Sequence, residues 1–179
     1  MRVLDVGPGR EPFPLATTVL EYPGMTWEGV NMEGREIVLG DVCDLPFPNQ
    51  SFDFVWASHV LEHCQHPGKG IDELCRVGIA GMIAVPSAAS EAFERYFSPG
   101  DCAGRHRWMF RATTTELMFC ALPEDSEGAK ETILQARVHF SWHGFRTELR
   151  MCWGPTARLK RIKWHELPPE QFGGEIVKL

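Results

Sequence analysis

The first half of the chain is a series of short apolar, β-branched runs, each closed by a polar or glycine break. Val3, Leu4 and Val6 predict a first strand buried on both faces, broken at Gly7-Pro8-Gly9. Ala16 to Leu20 predicts a second strand ending in Glu21 before the turn Tyr22-Pro23-Gly24. Ile37-Val38-Leu39 predicts a third, closing on Gly40-Asp41, and Phe52 to Ala57 a fourth. Met82 to Val85, ahead of Pro86, predicts a fifth. Between the first two strands, a connection of about a dozen residues interrupted by Pro12 and Pro14 leaves little room for the usual crossover helix. After the fourth, Ser58 reads as the N-cap of a short helix through His63 or Cys64. A further helix starts at Pro67, sets Ile71, Leu74 and Cys75 on one face, and stops at Gly78. The alternation predicts an α/β fold, a doubly wound and mainly parallel sheet.

The second half is less periodic. Ala89 to Phe97 reads as helix and Pro99 to Gly104 as loop, while Arg105 to Phe110 fits either a strand or an extended lid. Glu124 to Lys130 reads as a polar surface turn. Arg146 to Trp153 and Arg158 to His165 predict an antiparallel hairpin about Gly154-Pro155, at one edge of the sheet. Pro168 to Leu179 reads as a tail. One domain is expected over 1–179, with a variable half at 88–165 and the tail from 166.

Composition narrows the class. A hydrophobic fraction of 44% and a charged fraction of 23% suit a globular protein. No apolar run approaches the roughly 20 residues of a membrane span, and no signal-peptide pattern precedes the first strand. Six cysteines without a Cys-x-x-Cys pair read as reduced thiols, so a cytoplasmic location is expected. Residues 1–136 hold 10 Lys/Arg against 20 Asp/Glu, and residues 137–179 hold 8 against 4. The second group includes Arg137, Arg146, Arg150, Arg158, Lys160, Arg161 and Lys163, interleaved with Trp142, Trp153 and Trp164. Such interleaving suits single-stranded nucleic acid, but a hairpin with one packed face produces it equally, and nucleic acid is not the expected partner.

A buried strand opening into Gly-x-Gly is where open α/β sheets seat nucleotide-like ligands. Four pieces follow one another at set distances: Val3 to Gly9, Gly40-Asp41-Val42-Cys43-Asp44-Leu45-Pro46-Phe47, Ser51 to Val55, and Ala57-Ser58-His59-Val60-Leu61-Glu62-His63. Together with the Glu73-Leu74-Cys75-Arg76-Val77 helix, this pattern resembles the class I S-adenosylmethionine-dependent methyltransferases, nearest the type-11-like group. The resemblance implies that Asp5, Gly7, Pro8 and Gly9 wrap the methionine and ribose portions of S-adenosyl-L-methionine, and that Glu21 accepts from the ribose hydroxyls. It also implies that Asp41, Val42 and Cys43 form the adenine-reading segment, and that Ser58 and His59 lie beside the sulfonium. Glu11 stands where the family has a third glycine, and Arg10 is the candidate to hold the cofactor carboxylate in place of a helix N-terminus.

His59 and His63 are the candidate general bases, since a near-neutral pKa suits proton transfer from an acceptor. His59, His63, Cys64 and His66 could also be read as a metal cluster; the resemblance accounts for the histidines without one, and no metal is expected. The expected function is methyl transfer to a small-molecule, glycan-precursor or lipid-like acceptor. Alternatives are a module that keeps the fold without turnover, and an RNA methyltransferase. Cover for the acceptor is expected from residues 88–179, from a second subunit in a homodimer, or not at all. Arg105 to Trp108 is a candidate substrate-side element.

Overall fold

The computed structural model describes residues 1–24, 32, 34–97, 106–113, 116–136, 148–155 and 162–172. Five parallel strands form in the predicted places: β1 (Val3–Val6), β2 (Thr18–Glu21), β3 (Glu36–Leu39), β4 (Phe52–Ser58) and β5 (Gly78–Pro86). Their order, β3-β2-β1-β4-β5, reverses direction at β1, so the crevice for a ligand opens at the carboxyl ends of β1 and β4. Two residues of β1 show how tightly the centre is buried: Val3 and Leu4 have no exposed surface. The link from β1 to β2 contains no helix, as its prolines require.

Helix α1 (Pro67–Val77) takes proline in its first turn and buries Ile71 and Leu74 completely. Its Arg76 ties down the preceding loop. The guanidinium donates to the carbonyls of Leu45 (3.0 Å) and Phe47 (2.7 Å) and pairs with Glu73, whose other contact is the Leu45 N–H at 2.9 Å. This clip fixes the loop that carries Asp41.

Several expectations are corrected. Residues 59–66 form turns rather than a helix. Ser58 is the last residue of β4, so it is not an N-cap, and His59 adopts a left-handed φ of 57° that no helix accepts. The expected carboxyl-terminal hairpin is also absent, because its two strands join different sheets. β8 (Glu148–Trp153) pairs antiparallel with β5, whereas β9 (Lys163–Glu166) belongs to a second sheet, beside β6 (Trp108–Ala112) and β7 (Glu116–Ala121), in the order β6-β7-β9 with β9 parallel to β7. Residues 156–161, which hold Arg158, Lys160 and Arg161, lie outside the described residues, as do Arg137, Trp142 and Arg146.

β6 (Trp108–Ala112) settles the strand reading for that stretch, and its partner β7 (Glu116–Ala121) had no counterpart in the sequence reading. Side chains of this pair alternate between two cores: Phe110, Leu117 and Phe119 face the main sheet's core, and Met109, Met118 and Cys120 face a second one. The second core is closed by α2 (Ala88–Phe97), α3 (Ser126–Gln135) and α4 (Pro169–Phe172). Thus the polar stretch 124–130 starts a helix, and the expected tail buries Phe172 to 2% exposure. Asp125 caps α3 by accepting the Gly128 N–H at 2.6 Å.

β8 docks through one close approach. Trp153 lies across Gly81, where an added Cβ would sit 2.2 Å from the indole, and its Nε1 donates to the Gly78 carbonyl at 3.2 Å. Trp153 is therefore a core residue. Trp164 stacks on Phe119 at 5.8 Å, so both described tryptophans of the basic strip make packing contacts.

Candidate functional site

The turn after β1 is built from bare backbone. Gly7 and Gly9 have φ of 63° and 56°, a region that side chains disfavour. The Gly7 N–H donates to Leu20 at 2.8 Å, and an added Cβ would meet Val60 at 2.7 Å. The loop beyond is held by a side chain instead of a helix. Asp5 Oδ2 accepts the Phe13 N–H at 2.7 Å, and Phe13 stacks on Trp56 with centroids 4.6 Å apart. Burial disfavours the Asp5 carboxylate and raises its pKa to about 6, against the pull of the Phe13 N–H. Pro8 is buried beside the glycines, and Arg10 is exposed.

Glu21 and Asp41 stand at neighbouring strand ends. Glu21 is buried, accepts the Tyr22 N–H at 2.9 Å, and receives the Gly40 N–H on its carbonyl at 3.0 Å. Asp41 closes a turn by accepting the Cys43 N–H at 2.8 Å, with Val42 and Cys43 buried beneath it. The fold therefore brings Asp5, Gly7, Pro8, Gly9, Arg10, Glu21, Asp41, Val42 and Cys43 to one edge, at the carboxyl ends of β1, β2 and β3.

His59 follows directly on the half-buried Ser58 at the end of β4, and its N–H donates to Ala84 at 2.9 Å. Its ring bridges two carboxylates: Nδ1 meets Glu62 Oε1 at 3.1 Å and Nε2 meets Glu148 Oε2 at 3.0 Å. The Glu62 hydrogen bond is the main reason that its pKa rises to about 9; burial opposes the rise and Glu148 adds to it. An imidazole so flanked is protonated at neutral pH and has no lone pair for base work. His63 is exposed, with its ring edge-on to His106 at 4.8 Å. His59, Glu62, His63, Pro86, Ser90, Glu94, His106 and Glu148 line a cleft of about 350 Å³. A wider groove of about 630 Å³, lined by Gln50, Arg76 and Trp153 among others, lies at the amino ends of β4 and β5, away from these residues.

Sequence reasoning missed Glu148, which lies 89 positions from His59 and carries no local signal. It also missed a buried relay behind His106. Arg95 Nε donates to Glu91 Oε1 at 2.6 Å, and Glu91 Oε2 meets His106 Nδ1 at 2.5 Å. Burial works against a charge on His106, and Glu91, aided by Glu62 and Glu94, outweighs it, leaving its pKa raised. The substrate-side candidate segment docks on the turn after β4: the Arg107 N–H donates to Glu62 and Trp108 Nε1 to Cys64, while Arg105 lies outside the described residues.

Residues 4–85 match the family model described as "Methyltransferase domain". Among curated proteins, ajmaline N-methyltransferase of Rauvolfia serpentina is 38% identical over 47 residues, which is 26% of this chain and 16% of that protein. Among solved structures, a SAM-dependent methyltransferase from Thermotoga maritima, described as a possible histamine N-methyltransferase, superposes with a TM-score of 0.51 at 17% identity. That match covers 60% of this chain and 56% of the other, so the chain spans little more than half of the structural relative and far less of the curated one. At that identity the likeness is one of fold. Among the described residues, no helix is long and apolar enough to cross a membrane.

Proposed function

Since residues 4–85 match a methyltransferase domain, we propose that this chain is a class I S-adenosylmethionine-dependent methyltransferase that binds S-adenosylmethionine along the carboxyl ends of β1, β2 and β3. From there it passes the methyl group to an acceptor held in the His59–His106 cleft. The observation that carries this reading is the row of three acidic residues, Asp5 near the end of β1, Glu21 at the end of β2 and Asp41 just beyond β3, beside a turn in which Gly7 and Gly9 are left-handed. These residues fit the cofactor: bare peptide N–H groups suit its polar end, and a buried carboxylate accepts from two vicinal hydroxyls. When bound, S-adenosylmethionine supplies an electrophilic methyl on a positively charged sulfur.

The chain's own contribution is placement. The turn at Ser58 and His59 sets the boundary between cofactor edge and cleft, and alignment of the acceptor is the main demand of the reaction. His59, with both ring N–H groups committed to Glu62 and Glu148, suits an electrostatic role, a fixed positive charge at the mouth of the cleft. His63, exposed in the same cleft, is the remaining candidate base. The cleft walls carry Glu62, Glu94 and Glu148, which favours a small acceptor bearing hydroxyl or amine groups over a polyanion. The five described cysteines are free thiols, in keeping with a reducing compartment such as the cytoplasm.

A second reading, binding without turnover, draws on Glu11 and the missing crossover helix. Calorimetric titration with S-adenosylmethionine and S-adenosylhomocysteine, on the wild type and on Glu21→Ala and Asp41→Ala, tests the first. Binding that drops at least tenfold in either variant supports it, and a wild type that binds neither compound overturns it. A methyl-transfer screen against hydroxyl and amine acceptors then separates turnover from binding alone.

A further inference from the structure

Glu62, His63 and His106 each turn a ligating atom into the same cleft, and these atoms all lie within 4.8 Å of one another. Glu62 is completely buried. Its Oε1 is used by His59, but its Oε2 is buried with no hydrogen-bond partner. A buried carboxylate oxygen left unmatched is costly and calls for a cation or a donor. His106 is prepared in a particular way. Its Nδ1 is taken by Glu91, which is itself held by Arg95, so Nε2 is the nitrogen left for a ligand. A carboxylate on the far nitrogen is how metal-bound imidazoles are oriented and made more basic. The trio is not adjacent in sequence: Glu62 and His63 come from the turn after β4, and His106 arrives from the approach to β6.

We propose that Glu62 Oε2, His106 Nε2 and the His63 ring form a binding site for one divalent zinc-type ion in the wall of the acceptor cleft. Two imidazoles and one carboxylate favour zinc or a similar ion over magnesium, which prefers oxygen ligands. Three protein ligands leave a coordination position for an outside donor. On the methyltransferase reading, that position faces the acceptor and takes its oxygen or nitrogen. The ion thereby selects acceptors with a metal-binding hydroxyl or amine. A ligand spacing of up to 4.8 Å exceeds that around a bound ion, and rotation of the exposed His63 side chain closes it.

The test uses the full chain stripped of metal by chelation, titrated with Zn²⁺ by calorimetry and with Co²⁺ by visible absorption. One Zn²⁺ per chain is expected, with micromolar or tighter affinity. Intense Co²⁺ bands of a four- or five-coordinate site should appear, and Mg²⁺ should not compete. Glu62→Gln and His63→Gln should each weaken Zn²⁺ by tenfold or more, and His63, being exposed, leaves folding intact. Glu91→Gln, removing the support behind His106, should weaken it by about ten- to a hundredfold. His66→Gln, a nearby exposed histidine outside the trio, should have no effect. The site is overturned if Zn²⁺ fails to bind at about 100 μM, if Glu62→Gln and His63→Gln bind like the wild type, or if His66→Gln loses binding as they do. S-adenosylhomocysteine titrated into the same samples keeps the two readings apart, since its failure alone removes the methyltransferase reading and leaves the metal site standing.

Discussion

Asp5 should make this protein less stable as the pH rises from about 4 to about 6, and Asp5→Asn should abolish that slope. The carboxyl group is 2% exposed and burial lifts its pKa from 3.8 to about 6. The native state therefore keeps the proton to a higher pH than the unfolded chain does. Between the two values the native state binds more protons, so stability falls with rising pH, and the whole penalty is present above about pH 6. A separation of about two pH units corresponds to about 3 kcal/mol at roughly 1.4 kcal/mol per unit. Asparagine keeps an acceptor for the Phe13 N–H but a weaker one, at a cost of about 1 kcal/mol. The variant should thus exceed the wild type by about 2 kcal/mol at pH 7.5 and match it or fall slightly below at pH 4.

Urea unfolding of both proteins at half-unit pH steps measures this, because other carboxylates titrate alike in the two and cancel in the difference. A stability gap that stays flat across the range, or grows toward acid, would refute the reasoning. S-adenosylhomocysteine affinity supplies the second half of the test. If Asp5 serves the cofactor, the more stable variant binds it at least tenfold more weakly, the trade expected where a site keeps a costly charge.

Three other substitutions probe the frame. Gly81→Ala drives a Cβ to 2.2 Å from the Trp153 ring and 2.5 Å from the Val55 carbonyl. It should cost about 3 kcal/mol in urea unfolding and red-shift the tryptophan emission as β8 lifts away. Gly7→Ala meets both a left-handed φ and Val60, so it should lose about 2 kcal/mol, with part recovered in the Val60→Ala background. Arg76→Ala frees the loop at residues 45–49 and should cost about 2 kcal/mol. It should also speed amide exchange at Leu45 and Phe47 more than in β1.

The elements legible in the sequence are those whose signal is local. Val3 to Val6, Thr18 to Glu21 and Phe52 to Ser58 are apolar runs bounded by breaks, and α1 carries a proline start and a glycine stop. What escaped depends on partners far along the chain. A residue pattern like that of β8 and β9, with Gly-Pro between, suits a hairpin. The choice of different sheets is made by Gly81, which accepts Trp153, and by β7, which pairs with β9. Helix α3 hides behind polar residues because its buried face, among the described residues, is made of Ala129, Thr132 and Ile133, with a single large apolar side chain. Its cap at Asp125 was the available signal.

The site divides along the same line. Asp5, Glu21 and Asp41 each close one of the first strands or the turn just after it, so their places follow from the strand order alone. On the proposed acceptor side, the turn at residues 59–63 is met from three directions by the second half: Glu148 from β8, His106 from the approach to β6, and Glu91 from α2 behind it. None of these has a sequence neighbour that announces its role, and each needs the sheet to be complete before it reaches the turn. The family match ends at residue 85, just before that half begins. The shared segment thus carries the proposed cofactor edge, and chemistry specific to this chain must come from residues brought against His59 and Glu62. A change in acceptor should therefore follow from substitutions at Glu148, His106 or Ser90, with cofactor affinity left intact.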